Sequence, residues 1–320
     1  MSGPLNPQSA SEGSTETTIP PRIGAGSFAA VYASPGRAIA IKVVHSQEEA
    51  AQIRAEYEIL HAIHTQCDAD SFFAIPRALA FYDPQTHELH THLPPGYGQP
   101  LRARALAAKP YNPTFFANLP ARACYVMDRC APLPPHIGEA IRTSMYPAKA
   151  VAAATPIPII CRLYFGKEVR PSAFVNPANF PLDVARYRQL VQNFAEDLPP
   201  IEEVIDGMAE LLAKIHWDTG YDGRDIEFVL AGAPYAPVVR FYLIDFNQVR
   251  EFDRQSGDVT ALVDAFFAND PYYPRPIPGE PLYDVFKQAY LRSCRSEYRA
   301  SAERFLRAIE EHQASRAASK

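Results

Sequence analysis

The sequence predicts a mixed α+β fold in which a small antiparallel sheet comes first and a mainly helical part follows. Three observations support this class. A glycine-containing hairpin runs into an apolar strand within residues 22–44, and apolar residues recur at helical spacing through 47–64. Further helical patterns at 200–217, 281–294 and 296–313 surround a second strand hairpin. With 320 residues, the chain is long enough for one large domain or for two lobes with separate cores.

Composition excludes several classes of partner. The formal net charge is -5 and no long run of Lys or Arg occurs, so nucleic acid and anionic membrane surfaces are not expected partners. The five cysteines form no CxxC pair, which is typical of a reducing compartment. The opening residues lack the basic and apolar regions of a signal peptide, and the most apolar segment, from residue 150, contains prolines. We therefore expect an intracellular protein, in the cytoplasm or the nucleus.

The amino-terminal third contains features of a phosphate-binding hairpin. Gly24 and Gly26 lie in "GAGSFAAVY", where the lack of a Cβ would let backbone N–H groups approach a phosphate. In the following strand, Lys42 lies on the same face as Ala38 and Ala40, which leaves room for a flat ligand beside an ammonium group. An ordinary hairpin turn is the alternative interpretation of the two glycines.

A buried ion pair is expected between that strand and the next helix. Ile53, Leu60 and Ile63 recur at helical spacing, and Glu56 lies in the same apolar stripe. A carboxylate that faces inward costs several kcal/mol unless it is paired. Lys42 is the nearest candidate partner in the chain, so we predict a Lys42–Glu56 pair.

The second strand hairpin ends in an unusual carboxylate. The runs "DIEFVLAG" and "VVRFYLIDFN" are joined by a proline-containing turn, and Asp245 ends an otherwise apolar row of Val239, Phe241 and Leu243. Such a charge needs a partner. Two partners remain open: a metal ion that carries a phosphate chain, or simply a neighbouring cationic side chain.

These motifs resemble the protein-kinase-like superfamily. "GAGSFAAVY" resembles its phosphate-covering loop, "AIAIK" its strand lysine motif, "EYEIL" its helix glutamate motif, and "LIDFN" its DFG metal-binding motif. The resemblance implies a two-lobed kinase-like fold with a small antiparallel-sheet N-lobe at 19–130 and a mainly helical C-lobe at 131–312. A Pro-rich insertion would lie around 93–122, and tails at 1–18 and 313–320 would be disordered or frayed.

The resemblance also implies the site residues. Lys42 would hold the phosphates of ATP, Glu56 would fix Lys42, and Asp225 and Asp245 would hold Mg²⁺. The stretch "CYVMDRC" resembles the hinge between the lobes, whose backbone would read the adenine edge. The nucleotide-binding residues implied in this way are Gly24, Gly26, Ala40, Lys42, Glu56, Met127, Asp128 and Cys130.

Three departures from the kinase pattern bear on catalysis. Ala29 replaces the third glycine of the loop, and Asn247 replaces the glycine of DFG. The spacing of "HWDTGYDGRD" does not fit the usual catalytic loop, so the catalytic aspartate is either displaced to Asp222 or missing.

The carboxy-terminal half also resembles a fungal family of unknown function whose members are often labelled zinc-finger proteins. The motifs include "CRLYFGK", "MAELLAKIHW", "LIDFNQV" and "NDPYYPRP", in the same order from about 125 to 275. The sequence does not support zinc, because structural zinc sites use paired Cys or Cys/His sets. The nearest cluster, His87, His90 and His92 in "HELHTH", is predicted to be a polar exposed turn.

Three functions therefore remain open. The chain binds ATP and Mg²⁺ and transfers phosphate to a small-molecule hydroxyl, with Asp222 orienting the acceptor. Alternatively, it is a pseudokinase that regulates or scaffolds an unknown small-molecule or protein partner without turnover. In the third case Lys42 pairs with Glu56, Asp245 meets an arginine, and no ligand binds.

Overall fold

The computed structural model of the protein describes residues 19–92, 111–170, 172 and 174–318. Within these ranges the chain is a mixed α+β structure, as the sequence predicts. The predicted tail at 1–18 and most of the predicted insertion, 93–110, lie outside the described residues.

The amino-terminal part is a six-stranded sheet in the order β1-β2-β3-β6-β4-β5, with all pairs antiparallel. The hairpin between β1 and β2 is closed by a hydrogen bond from Gly26 N–H to the Ala29 carbonyl, 2.9 Å long. The strands are β1 (Arg22–Ala25), β2 (Ala29–Ala33), β3 (Ile39–Val44), β4 (Ala78–Asp83), β5 (Glu88–Thr91) and β6 (Cys124–Asp128).

Helix α1 (Ala50–Cys67) crosses between β3 and β4 in the chain and contacts β4 and β6. A capping box precedes it, in which Ser46 and Glu49 satisfy each other's backbone N–H groups. Its inward stripe contains Ile53, Tyr57 and Leu60, all at most 1% exposed. The helical spacing in the sequence predicted this buried face and the place of Glu56 within it.

A second sheet has four strands in the order β10-β9-β7-β8. Here β9 and β10 form the predicted antiparallel hairpin, whereas β7 and β8 pair in parallel. The strands are β7 (Cys161–Leu163), β8 (Phe180–Leu182), β9 (Glu227–Ala233) and β10 (Ala236–Ile244).

Seven further helices lie in the described carboxy-terminal part. Helix α5 is the most deeply buried, since nine of its residues are inaccessible, and it packs against α7. A single π-helical turn, Ile215–Thr219, follows α5. The helices are α2 (Pro135–Met145), α3 (Ala148–Ala152), α4 (Val184–Asn193), α5 (Ile201–Lys214), α6 (Thr260–Ala268), α7 (Pro281–Ser293) and α8 (Arg299–Ala318).

The two sheets are joined through the loop after α1. Ala74 donates to the Phe241 carbonyl at 3.0 Å and accepts from Leu243 N–H at 3.1 Å. One continuous apolar core runs from α1 through this junction to α8. None of the helices in the described ranges is long and apolar enough to cross a membrane.

One element extends beyond its predicted end. The segment from 313, predicted to fray, continues as helix α8 to Ala318. Its last turns are held because the guanidinium of Arg316 lies over the Phe267 ring, 5.0 Å from the centroid, and pairs with Asp270.

Candidate functional site

Lys42 lies at the centre of a cluster of charged side chains between the two sheets. Its ammonium donates to Glu56 Oε1 at 2.6 Å and to Asp245 Oδ1 at 2.9 Å. Lys42 comes from β3, Glu56 from α1, and Asp245 from the residue after β10. The predicted Lys42–Glu56 ion pair is therefore present, and Asp245 joins it from the carboxy-terminal part of the chain.

Glu56 is held from two other directions. The Tyr125 hydroxyl of β6 donates to Glu56 Oε1 at 3.1 Å, and the backbone N–H of Phe246 donates to the same oxygen at 3.4 Å. Glu56 is only 1% exposed, and its other oxygen, Oε2, has no hydrogen-bond partner among the described residues. The carboxylate therefore fixes the Lys42 ammonium at a definite point.

The carboxylates keep Lys42 charged. Burial by itself lowers the pKa of the Lys42 ammonium, but the negative charges of Glu56 and Asp245 outweigh it and raise that pKa above its usual range. The ammonium also lies 5.8 Å from the centroid of the Phe28 ring, at the tip of the glycine hairpin. The hairpin thus lies over the charged cluster.

Asp225 supplies a further carboxylate. Asn269 accepts a hydrogen bond from its backbone N–H, and Gln248 donates to its Oδ2 at 2.6 Å. Both Asp225 and Asp245 have left-handed backbones, with φ of 64° and 65°. Residues other than glycine seldom adopt this conformation, and it recurs at ligand sites.

Asp225 and Asp245 repel each other electrostatically. The pKa of the Asp225 carboxyl is raised, first by burial and then by the charge of Asp245. Glu56 and Asp245 both bind the Lys42 ammonium, whereas on Asp225 the opposing positive charges of Arg224 and Lys42 each act more weakly than the like charge of Asp245. Two hard oxygen donors that repel each other in this way are suited to a divalent cation such as Mg²⁺.

Asp222, the predicted catalytic residue, is hydrogen-bonded to the backbone of two loop segments. It is 4% exposed, and its Oδ1 accepts hydrogen bonds from the backbone N–H groups of Arg224 and Arg250, at 3.0 and 2.9 Å. The carboxylate therefore holds two loop segments together. Asp218, in the same stretch, pairs with Arg295 at 2.7 Å.

The predicted hinge is partly committed to other contacts. Met127 pairs with Ala40 across β6 and β3, so two of the residues predicted to bind the nucleotide lie side by side. The carboxylate of Asp128, however, binds the Arg77 guanidinium at 2.7 and 2.9 Å, and its backbone N–H donates to the Arg77 carbonyl. Burial raises the pKa of the Cys130 thiol to about 12, which makes this cysteine an unreactive packing residue.

The glycines of the hairpin are not required by packing. A Cβ at Gly24 would lie 3.6 Å from Val31 Cβ, an ordinary contact, and one at Gly26 would lie 3.9 Å from the Ala29 carbonyl oxygen. Neither residue has a positive φ. The fold would therefore accept alanine at both positions.

Three residues that contact the cluster were not predicted from the sequence. Gln248 and Asn269 fix Asp225, and Tyr125 fixes Glu56. Asn269 also donates to the Gly223 carbonyl at 2.7 Å and is 3% exposed. A buried polar residue needs partners, but the sequence does not indicate which ones.

Two sizeable cavities lie away from this cluster. One, of about 580 Å³, is lined by the 70–72 loop and α5. The other, of about 950 Å³, includes Lys167, Arg170, Arg275 and Arg316 in its lining. By volume alone, these cavities would be the stronger candidates for a ligand site. Most of their charged groups, however, are at the surface, whereas the charged groups around Lys42 converge from three elements. We therefore place the candidate site at Lys42.

Comparison with known proteins gives one family match. The sequence model of a family described as "Zinc finger protein" matches residues 241–302, which contain Asp245 and Gln248. No curated protein sequence matches the chain.

These findings overturn one prediction. The resemblance to the protein-kinase-like superfamily is not supported by any match and was wrong as a statement of family. The reason is the shortness of the motifs: each has about five to nine residues, and a lysine, a helix glutamate and a strand-end aspartate also occur together wherever a buried ion pair needs them. What remains is the geometry of the charged cluster.

The matched segment does not fit a zinc finger. Residues 241–302 contain one cysteine, Cys294, and no histidine. A structural zinc site of this kind takes four ligands from Cys and His. The segment therefore cannot form one from its own residues.

Proposed function

We propose that the chain is a two-lobed nucleotide-binding protein that takes ATP with Mg²⁺ between its two sheets. The observation that carries the proposal is the Lys42 ammonium held by Glu56 and Asp245, beside Asp225, under a hairpin whose glycines have no packing role. A triphosphate would meet a fixed cation, two metal ligands and accessible backbone in one place.

Each group has a chemical task in this proposal. Asp225 and Asp245 would hold Mg²⁺, which supplies positive charge to the phosphates. Lys42 would pair with a phosphate oxygen, and Glu56 would keep the ammonium in position. Gly24 and Gly26 would let the hairpin backbone come close to the phosphates. Ala40 and Met127 would lie beside the base, and Cys130 with Asp128 would border it.

The left-handed backbones of Asp225 and Asp245 support the assignment of the metal ligands. Such a conformation costs on the order of 1 kcal/mol or more for a residue other than glycine. Two neighbouring carboxylates that carry this cost and repel each other gain stability when a divalent cation binds. An ion pair with Lys42 accounts for Asp245, whereas on Asp225 the like charge of Asp245 outweighs each of the opposing effects of Arg224, Gln248 and Lys42.

Binding without turnover is the function that the geometry favours, because the carboxylate of Asp222 is committed to two loop N–H groups. Such a protein would regulate or scaffold a partner according to nucleotide level. Phosphate transfer to a small-molecule hydroxyl is the second candidate, since phosphoryl transfer depends mainly on positioning and metal charge. Release of ADP in the presence of hydroxylated metabolites or peptides distinguishes the two.

Thermal stability measured with and without ATP and Mg²⁺ tests the proposal. The melting temperature is expected to rise only when both are present, because a ligand at one hundred times its Kd stabilises the folded state by about 2.7 kcal/mol. Asp245→Asn should abolish the rise while keeping the fold, since this side chain is 36% exposed.

Two further variants sharpen that test. Lys42→Met leaves Glu56 without its cation, so it is combined with Glu56→Gln to keep the site neutral and folded. Lys149→Met, at an exposed lysine of α3, is the matched control and should keep the full rise. A rise that survives in Asp245→Asn and in the Lys42 double variant, or no rise in the unaltered protein, would reject nucleotide binding at this site.

A further inference from the structure

A second group of side chains that could bind a metal lies at the β5 edge of the amino-terminal sheet. Strand β5, at the sheet edge, contains His90, and His92 follows its last residue; both histidines lie against Glu58 of α1. His92 Nε2 lies 3.2 Å from Glu58 Oε2, and His90 Nδ1 lies 3.9 Å from Glu58 Oε1. One ligand atom from each of the three residues falls within 4.8 Å of the others.

This spacing is close to that of a metal centre. Zn²⁺ binds nitrogen and oxygen at about 2.0–2.2 Å, so two ligand atoms of a tetrahedral site lie roughly 3.4 Å apart. The distances from Glu58 to His92, 3.2 Å, and to His90, 3.9 Å, run to different carboxylate oxygens, and one Glu58 oxygen lies within 4.8 Å of a nitrogen from each ring. Small rotations of these partly exposed side chains would bring that oxygen and the two nitrogens to the spacing of a zinc site.

The rings are already held in place by their neighbours. His61 stacks on His92 with ring centroids 3.5 Å apart and an interplanar angle of 5°. Tyr57 also stacks on His92, with ring centroids 4.8 Å apart, and it meets His90 edge-on at 5.8 Å. An imidazole with a fixed orientation loses little conformational freedom when it binds a metal.

We propose that Glu58, His90 and His92 bind one Zn²⁺ ion that fastens the edge strand β5 to helix α1. Two imidazoles and one carboxylate suit zinc better than Mg²⁺ or Ca²⁺, which prefer oxygen ligands only. Water would complete the fourth position, as in zinc sites with three protein ligands. The site is independent of the nucleotide proposal, although Glu58 lies two residues from Glu56 on the same helix.

The sequence predicts an exposed polar turn for these histidines because no paired Cys or Cys/His set accompanies them in the chain. Glu58 is 32 residues before His90, and only the packing of α1 beside β5 brings them together. Cysteine-based zinc binding needs paired sets, whereas this site uses none.

Zinc binding by the full chain, stripped of metal with a chelator, tests the proposal. Titration with Zn²⁺ against a chromophoric competitor should give about one site per chain. Glu58→Gln and His92→Asn should each weaken that site at least tenfold, while ATP binding stays unchanged. Co²⁺ in place of zinc should give visible absorption typical of a four- or five-coordinate ion, lost in the same variants.

Two control variants make the result decisive. His87→Asn changes a histidine of the same hairpin whose φ of 55° asparagine tolerates, and it should bind zinc normally. Cys294→Ser removes a partly exposed thiol, which is a competing zinc ligand, and this variant should also bind zinc normally. Equal zinc affinity in Glu58→Gln, His92→Asn and the unaltered chain, or loss in the Cys294 variant instead, would overturn the proposal.

Discussion

Asp222, the residue that the sequence predicts to be catalytic, binds the backbone of two loop segments in the fold. It lies three residues before Asp225, in a stretch rich in aspartate, and the resemblance to a shortened catalytic loop made it the candidate for orienting a substrate hydroxyl. In the structure it is buried and accepts hydrogen bonds from the backbone N–H groups of Arg224 and Arg250, which are 26 residues apart in the chain. The sequence gives residue types and spacing, but not which backbone groups a carboxylate meets.

The replacement Asp222→Ala measures this structural role. It leaves the N–H groups of Arg224 and Arg250 without an acceptor, and each such loss costs about 1–3 kcal/mol. We expect the free energy of unfolding in urea to fall by roughly 2–4 kcal/mol, while the folded variant still binds ATP with Mg²⁺. Asp264→Ala, at an exposed aspartate of α6, is the control and should change stability by less than about 0.5 kcal/mol.

A different outcome would restore the catalytic assignment. If Asp222→Ala keeps the stability of the unaltered protein and instead abolishes an ATP-dependent phosphate transfer, Asp222 acts on the substrate and not on the loop.

Lys42 and Glu56 were predictable at the same scale because their pattern is local. Strand alternation fixed the face of Lys42, helical spacing fixed the inward direction of Glu56, and the cost of a lone buried charge required a partner. The positions of Tyr125, Gln248 and Asn269 were not predictable, since each depends on contacts between elements distant in the chain.

At the scale of elements, the packing of β9 depends on Gly232, a residue whose role was not predicted from the sequence. The N–H of Gly232 donates to the Ala131 carbonyl at 2.9 Å, so the segment after β6 pairs closely with β9. A Cβ at this position would lie 2.1 Å from the Pro132 carbonyl oxygen, well inside any real contact. Gly232 therefore permits the close approach that connects the end of the first sheet to the second.

Gly232→Ala should for this reason be clearly destabilising. The strand or the 131–132 segment must shift, and overpacking of this kind costs about 1–3 kcal/mol. Urea denaturation provides the measurement. Gly24→Ala is the matched control, because its Cβ meets only ordinary contacts, and we expect it to be neutral or slightly stabilising. Equal losses in both variants, or none in either, would contradict the account of this junction.

The elements themselves were largely predictable. Helix α1, the β9–β10 hairpin and the closing helices follow from apolar periodicity and turn residues. The parallel pair of β7 and β8 was not expected, because strands of three residues carry too little pattern to be distinguished from loop. The π-helical turn after α5 was likewise read as the end of a plain helix.

At the scale of the whole molecule, the charged cluster links parts of the chain that are far apart in sequence. Lys42 and Asp245 are separated by 203 residues, and their contact joins the first sheet to the second. A ligand bound by both would therefore stabilise the molecule across this junction. The α+β class followed from the sequence, whereas the meeting of the two sheets at Lys42 required the packed structure.

Calorimetric titration of the full chain with ATP, in the presence and absence of Mg²⁺, tests the central claim most directly. The account predicts one site per chain, a strict need for Mg²⁺, and loss of binding in both Asp225→Asn and Asp245→Asn. Binding that ignores Mg²⁺ and survives in both variants, or no binding by a protein shown to be folded, would contradict it.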